Sequence, residues 1–73
     1  MLPEYSRVRL ITDKYAKDGV PEGTLGYVIE VYNDGKYEVE FSNPETGSTV
    51  AQLVIAHEDV IESPEPDVAV QRH

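Results

Sequence analysis

Apolar and polar residues alternate along most of this chain, and no stretch repeats its apolar residues at the spacing of a helix. A period of two is typical of a strand with one buried face and one solvated face. The pattern, with the turn residues between its segments, predicts five strands over residues 5–12, 25–32, 36–42, 48–56 and 60–62. A long loop over 13–23 follows the first strand, and 57–59 is expected to form a single helical turn. The fold class is therefore all-β.

The clearest hairpin signal is the Asn-Asp-Gly sequence at 33–35. A two-residue turn would set Val31 opposite Glu38 and force an apolar and a charged side chain onto one face. A three-residue loop with Gly35 at positive φ avoids this conflict and makes one face wholly apolar. That loop predicts the pairs Val31 with Tyr37, Ile29 with Val39, and Tyr27 with Phe41.

The same apolar face continues onto the fourth strand. A five-residue connection at 43–47 would set Val39 opposite Ala51 and Tyr37 opposite Leu53. The side chains turned inward by this register form the predicted core, which is Val8, Leu10, Tyr27, Ile29, Val31, Tyr37, Val39, Phe41, Ala51, Leu53 and Ile55.

Seventy-three residues with 40% apolar content suffice for one small core. Five short strands, a long first loop and a helical turn before the last strand are most economically closed as an SH3-like barrel. We expect this barrel over 1–63 and a disordered acidic, proline-containing tail over 64–73. The chain has no cysteine, no secretory signal and no apolar run of about 20 residues, so we expect a cytoplasmic protein without membrane contact.

The net charge of the chain indicates which class of partner it can bind. Fourteen acidic and six basic residues give a net charge of −8. Residues 1–17 have a balance of +2, which leaves −10 on the remainder. A polyanion is repelled by nucleic acid and by anionic membranes, so a protein with a basic surface is the favoured partner. The acidity could instead serve only to keep a small domain soluble.

Catalytic residues are scarce. The two histidines are His57, in the predicted turn, and His73, the last residue. They cannot form a pair for metal binding or acid–base chemistry. The serines and threonines near the 43–47 connection have no histidine partner for nucleophilic activation. We therefore expect no enzyme activity, no metal and no cofactor.

The outward face of the second, third and fourth strands is the first candidate binding surface. The predicted register sets Glu30 directly opposite Glu38 without a base between them, an arrangement that costs stability. Valines beside these carboxylates would add apolar contact area. The candidate residues fall into two predicted rows across the three strands: Val28, Glu40 and Val50 in one, and Glu30, Glu38 and Gln52 in the next. The alternative is a solvated sheet face without a partner.

The long loop is the second candidate surface. It contains Lys14, Tyr15 and Lys17, where SH3 domains use aromatic side chains to bind proline-rich peptides. The chain has no tryptophan to form the platform of such a site. Tyr15 could instead cover one end of the barrel.

Three segments carry a family resemblance: 23–28 (GTLGYV), 32–35 (YNDG) and 37–41 (YEVEF). Together with Ala56, Glu58, Asp59 and Val60, they resemble a bacterial family of short proteins, domain-of-unknown-function family 4926, over roughly residues 5–62. The resemblance implies an SH3-like barrel without assigned catalysis. Some members are encoded beside candidate toxins, which implies a partner-binding or neutralising role.

The 23–28 segment also looks like the core of ribosome-associated KOW modules. Such a Gly-x-x-Gly-x-Val string recurs where a barrel strand begins with a tight bend. Nucleic-acid binding would then use the basic residues Arg7, Arg9, Lys14 and Lys17. KOW modules that hold RNA are usually basic, and this chain is acidic. An acidic protein-binding module is thus the preferred expectation, and a KOW-like module is the alternative.

Overall fold

The computed structural model describes residues 1–43 and 45–64. The strands form one antiparallel sheet in the order β4-β3-β2-β1-β5. The elements are β1 Arg7–Leu10, β2 Leu25–Val31, β3 Lys36–Ser42, β4 Thr49–Ala56 and β5 Val60–Glu62, with single 3₁₀ turns at Ala16–Asp18 and His57–Asp59. The all-β prediction is confirmed, with five strands, a long first loop and a helical turn before the last strand. The closure of this sheet as an SH3-like barrel stays a prediction. All of the predicted tail except Pro64 lies outside the described residues.

The β2–β3 hairpin turns as predicted. Gly35 has φ +84°, and the Tyr32 amide donates to the Lys36 carbonyl at 2.9 Å, which closes a three-residue loop. A left-handed φ is accessible to glycine without a steric penalty, which explains its place in this turn. The pairing of Val31 with Tyr37 next to the loop is confirmed.

A β-bulge changes the register farther along β2. The shift lies between Val28 and Glu30, so Ile29 is the extra residue of the bulge. Beyond it, Val28 pairs with Val39, and Tyr27 pairs with Glu40. The predicted pairs of Ile29 with Val39 and of Tyr27 with Phe41 are therefore wrong.

The predicted β3–β4 register is wrong by two residues. Val39 pairs with Leu53, and Phe41 pairs with Ala51. The Asn43 amide donates to the Ser48 carbonyl at 2.9 Å, so the connection has four residues instead of five. The shorter connection explains one residue of the register error, and a second bulge between Phe41 and Ser42 explains the other. A shift of two keeps the inward-facing set unchanged, because side-chain direction repeats every two residues.

The core is built by alternate residues of all five strands and by Val20 from the long loop. The buried apolar residues are Val8, Leu10, Val20, Val28, Tyr37, Val39, Phe41, Ile55 and Val60. Three further predicted members, Val31, Ala51 and Leu53, are partly buried against this cluster. Two predictions are wrong: Tyr27 is 37% exposed and Ile29 is only half-buried. Val28 is buried in their place because the bulge reverses the alternation of β2.

Candidate binding face

The outward side of β2, β3 and β4 carries the candidate face. Because Tyr37, Val39 and Phe41 of β3 point into the core, the residues between them point outward. Two cross-strand rows result: Glu30–Glu38–Val54 and Tyr27–Glu40–Gln52. We call the three carboxylates of these rows, Glu30, Glu38 and Glu40, the acidic face. The sequence prediction that Glu30 lies directly opposite Glu38 is confirmed.

Two neutral groups hold the Glu38 carboxylate. The Tyr32 hydroxyl donates to Oε1 at 2.7 Å, and the Gln52 side-chain amide donates to Oε2 at 2.9 Å. The hydrogen bonds from Gln52 and then Tyr32 lower the pKa of Glu38. The same contact with Glu38 is the largest cause that raises the pKa of Tyr32 to about 12. Glu38 therefore stays ionised and fixed in direction at neutral pH, while Tyr32 stays a donor.

Glu40 is oriented in the same way. The Thr49 hydroxyl donates to its Oε2 atom at 2.7 Å. The salt bridges found among residues 1–43 and 45–64 join Lys14 to Asp59 and His57 to Glu58, so none of them involves the acidic face. The face thus holds aligned carboxylates that form none of these salt bridges, although Lys36 lies two residues before Glu38 on the same face of β3.

The structure corrects the row predicted to contain Val28, Glu40 and Val50. Val28 is fully buried, because the bulge at Ile29 turns it into the core. Val50 is 49% exposed, but it lies at the bulge near the start of β4, and Gln52 takes the place opposite Glu40. Of the six candidate residues, Glu30, Glu38, Glu40 and Gln52 come together.

Sequence reasoning missed three contributors to this face. Tyr27 takes the position beside Glu40, Val54 stands opposite Glu38 with 49% exposure, and Tyr32 orients the Glu38 carboxylate. The sequence pattern places Tyr27 in the core because it contains no signal for the bulge at Ile29. Tyr32 follows the last residue of β2 and lies opposite Lys36, so its hydroxyl reaches Glu38 diagonally across the hairpin.

The second candidate surface is occupied by internal contacts. The Lys14 ammonium lies 3.1 Å from Asp59 Oδ2, and the Tyr15 hydroxyl donates to the same oxygen at 3.0 Å. Asp59 is only 5% exposed. Burial, followed by the bond to Asp59, raises the pKa of Tyr15, and the bond to Asp59 raises the pKa of Lys14. Lys14 and Tyr15 thus connect the long loop to the turn before β5. Lys17, the third residue of this candidate surface, is exposed.

The His57–Asp59 turn does not bring its three side chains to one point. The side chains of His57 and Glu58 are 54% and 69% exposed, with 3.7 Å between Nε2 and Oε1, whereas Asp59 points inward to Lys14 and Tyr15. Within the described part of the chain, no three His, Cys, Asp or Glu side chains are placed to share a metal ion. No helix in that part has the length and apolar character to cross a membrane.

Two adjoining surface clefts lie at the opposite end of β3 from the hairpin turn. Each has a volume of about 390 Å³. Both are lined by Thr24 and Ser42, one also by Glu22 and the other also by Glu45. The Thr24 hydroxyl is already used as a donor to the Pro21 carbonyl at 2.6 Å. The clefts therefore offer surface polar groups.

Comparison with known families matches residues 4–62 to a family described as a domain of unknown function, DUF4926. The chain belongs to this family. The match extends from just before β1 to the end of β5, so it covers the whole sheet. No curated protein and no solved structure matches the chain. The family resemblance predicted over roughly residues 5–62 is confirmed, and the family description adds no activity to it.

The DUF4926 fold explains one glycine of that segment in steric terms. Gly26 pairs with Val8 on one side and with Phe41 on the other. A Cβ atom at this position would lie 2.7 Å from the Glu40 carbonyl oxygen and 2.8 Å from Phe41 Cδ1. The absent side chain leaves room for the buried ring of Phe41 and for the close approach of the β3 backbone.

Proposed function

We propose that this domain is a small non-catalytic module that binds a protein with a basic surface through the acidic face. Its role would be to neutralise that partner, as an antitoxin or immunity protein does. The observation that carries the proposal is the direct pairing of Glu30 with Glu38 in the middle of the sheet, with Glu38 held by neutral donors.

This pairing is costly for a domain selected for stability alone. Like charges directly opposite each other on a sheet destabilise it, and a lysine in either place would remove the repulsion. Tyr32 and Gln52 orient Glu38 but leave its charge intact. An oriented, ionised carboxylate is a suitable acceptor for the charge-assisted hydrogen bonds of arginine and lysine.

Apolar area next to the carboxylates supports the same function. Val54 and Tyr27 are the outward neighbours of Glu38 and Glu40. Both are partly exposed, at 49% and 37%. Aromatic and aliphatic side chains of this kind supply the buried centre of protein interfaces, while charges around them steer the encounter and set specificity.

The nucleic-acid alternative has less support. It uses Arg7, Arg9, Lys14 and Lys17, and Lys14 is paired with the buried Asp59. The remaining basic residues belong to a chain with a net charge of −8, which repels phosphate backbones over a distance of about 8–10 Å at physiological salt.

Partner capture from the native host tests the proposal. Three baits are compared: the wild type, the triple variant Glu30→Gln, Glu38→Gln, Glu40→Gln, and a control with three other exposed acids neutralised, Glu4→Gln, Asp13→Asn and Glu45→Gln. Both variants lose three negative charges, so only the position of the change differs. We expect the wild type and the control to retain a basic protein and the triple variant to lose it. Equal retention by all three baits would contradict the proposal.

A further inference from the structure

The β4 edge of the sheet is the second surface of interest. Of the five strands in the described part of the chain, β4 is the only one without a charged residue, and at eight residues it is the longest. Exposed edges are usually blunted by lysine, proline or short length, because their free backbone groups can pair with another strand. The other edge, β5, follows this rule: it has three residues, ends with Glu62 and is followed closely by Pro64.

The backbone groups on the β4 edge can be assigned. The His57 amide donates to the Gly35 carbonyl at 3.0 Å, which makes this a hydrogen-bonded pair. Hydrogen-bonded pairs recur every second residue in an antiparallel ladder, so Ile55 and Leu53 also direct their backbone groups toward β3. The N–H and C=O groups of Gln52 and Val54 therefore point away from the sheet.

The geometry points to a second copy of this chain as the occupant of that edge. We propose a closed dimer in which β4 pairs antiparallel with β4 of the second copy about a twofold axis at Leu53. Gln52 then exchanges both backbone hydrogen bonds with Val54 of the second copy, and the reverse pair is made by symmetry. Both side chains of each pair point outward, so the faces of the two sheets are continuous.

Leu53 supports this register. Its side chain points to the core side but is only half-buried. On the twofold axis it would face Leu53 of the second copy in a non-hydrogen-bonded pair, where opposing side chains approach most closely. This contact between the two Leu53 side chains would cover the part of Leu53 that the core leaves exposed. Because β5 is blunted, only one edge of each chain can pair, and the assembly closes as a dimer instead of growing into a fibre.

Charge opposes a second copy at this edge only weakly, and it sets the salt dependence of the dimer. No charged residue of β4 meets another across the axis. The nearest acidic rows, on the two β3 strands, are three strand spacings apart, or about 14 Å. This exceeds the screening length of about 8–10 Å at physiological salt. At low salt the screening length is longer and some repulsion between the two chains remains, so the dimer is expected to strengthen as salt rises, whereas the complex with a basic partner weakens.

Sedimentation equilibrium of the full chain tests the dimer. An interface of one strand pair is small, so we expect a dissociation constant on the order of 10–100 μM, tighter at about 500 mM than at 50 mM salt. Val54→Lys places a lysine on the edge strand, the residue that natural sheets use there to prevent pairing with another strand, and it should weaken the dimer at least about tenfold. Ile61→Lys, an equivalent change at the exposed β5 edge, should leave the dimer unchanged.

Amide exchange gives a second readout on the wild type. Exchange at the Gln52 and Val54 amides should slow as concentration rises, whereas amides already bonded to β3 should not change. A chain that is monomeric up to about 1 mM, or a dimer equally weakened by both lysine variants, would overturn the proposal. So would protection of these two amides by a different protein in the absence of self-association. None of these results bears on the acidic face, which is tested by its own variants.

Discussion

Gly26→Ala tests whether close contact between β2 and β3 is required by the fold. A Cβ at this position would lie 2.7 Å from the Glu40 carbonyl oxygen, 2.8 Å from Phe41 Cδ1 and 2.9 Å from Val39 Cγ1. These distances are roughly 0.5 Å or more below ordinary contact, so β2 and β3 must separate. Overpacking of this kind lowers the free energy of unfolding by about 1–3 kcal/mol. Alanine also reduces the conformational entropy of the unfolded chain, which offsets about 0.4–1 kcal/mol of that loss.

The net loss of about 1–2 kcal/mol should lower the melting temperature by roughly 4–16 °C in a domain of this size. Thermal unfolding followed by circular dichroism measures the shift. Because the nearest atom belongs to the backbone, a Val39→Ala background should not rescue the variant. Gly47→Ala is the control: its Cβ would meet nothing within 4 Å, and its cost of about 1 kcal/mol arises only from φ +75°. A melting temperature for Gly26→Ala within about 2 °C of the wild type, or full rescue by Val39→Ala, would refute the steric argument.

Three further predictions follow from individual contacts. The pKa of Tyr32 is raised to about 12 from 10.0, so its contribution to stability is present below pH 10 and is lost as the pH rises through 12. Urea midpoints measured across this range should fall more for the wild type than for Tyr32→Phe, and equal slopes would contradict the role of the Tyr32–Glu38 bond. Tyr15→Phe removes a donor to the buried Asp59 and should lower the free energy of unfolding by about 1–2 kcal/mol in chemical denaturation, whereas Tyr5→Phe, at 72% exposure, should have no effect. Mobility shifts with RNA and duplex DNA at low salt should show no complex, and binding that is lost on charge reversal at Arg7 and Arg9 would support the nucleic-acid alternative instead.

The parts of the fold set by local chemistry could be predicted from the sequence. The Asn-Asp-Gly turn has few conformations available, so its loop length and the pairing of Glu30 with Glu38 next to it were correct. The opposition of two carboxylates, on which the candidate face depends, was therefore visible before the structure.

The two bulges could not be predicted, because no glycine or proline marks them. At Ile29 the extra residue lies in a run of apolar side chains, Tyr27 to Ile29, any of which fits a core, and hydrophobic pattern alone cannot choose between them. This single residue exchanged Val28 for Tyr27 on the outward face. The buried Asp59 was also missed, since its partners Lys14 and Tyr15 lie more than 40 residues away in sequence.

The central claim is that Glu30, Glu38 and Glu40 steer a basic partner. Stopped-flow association with the captured partner, measured over a range of salt concentrations, tests it most directly. Steering acts mainly on the on-rate, so the triple glutamine variant should associate at least about tenfold more slowly at low salt, with a flatter salt dependence, while its stability stays level or rises. The control at Glu4, Asp13 and Glu45 should keep the steeper salt dependence. Association of the triple variant at the wild-type rate and with the wild-type salt dependence would contradict the account.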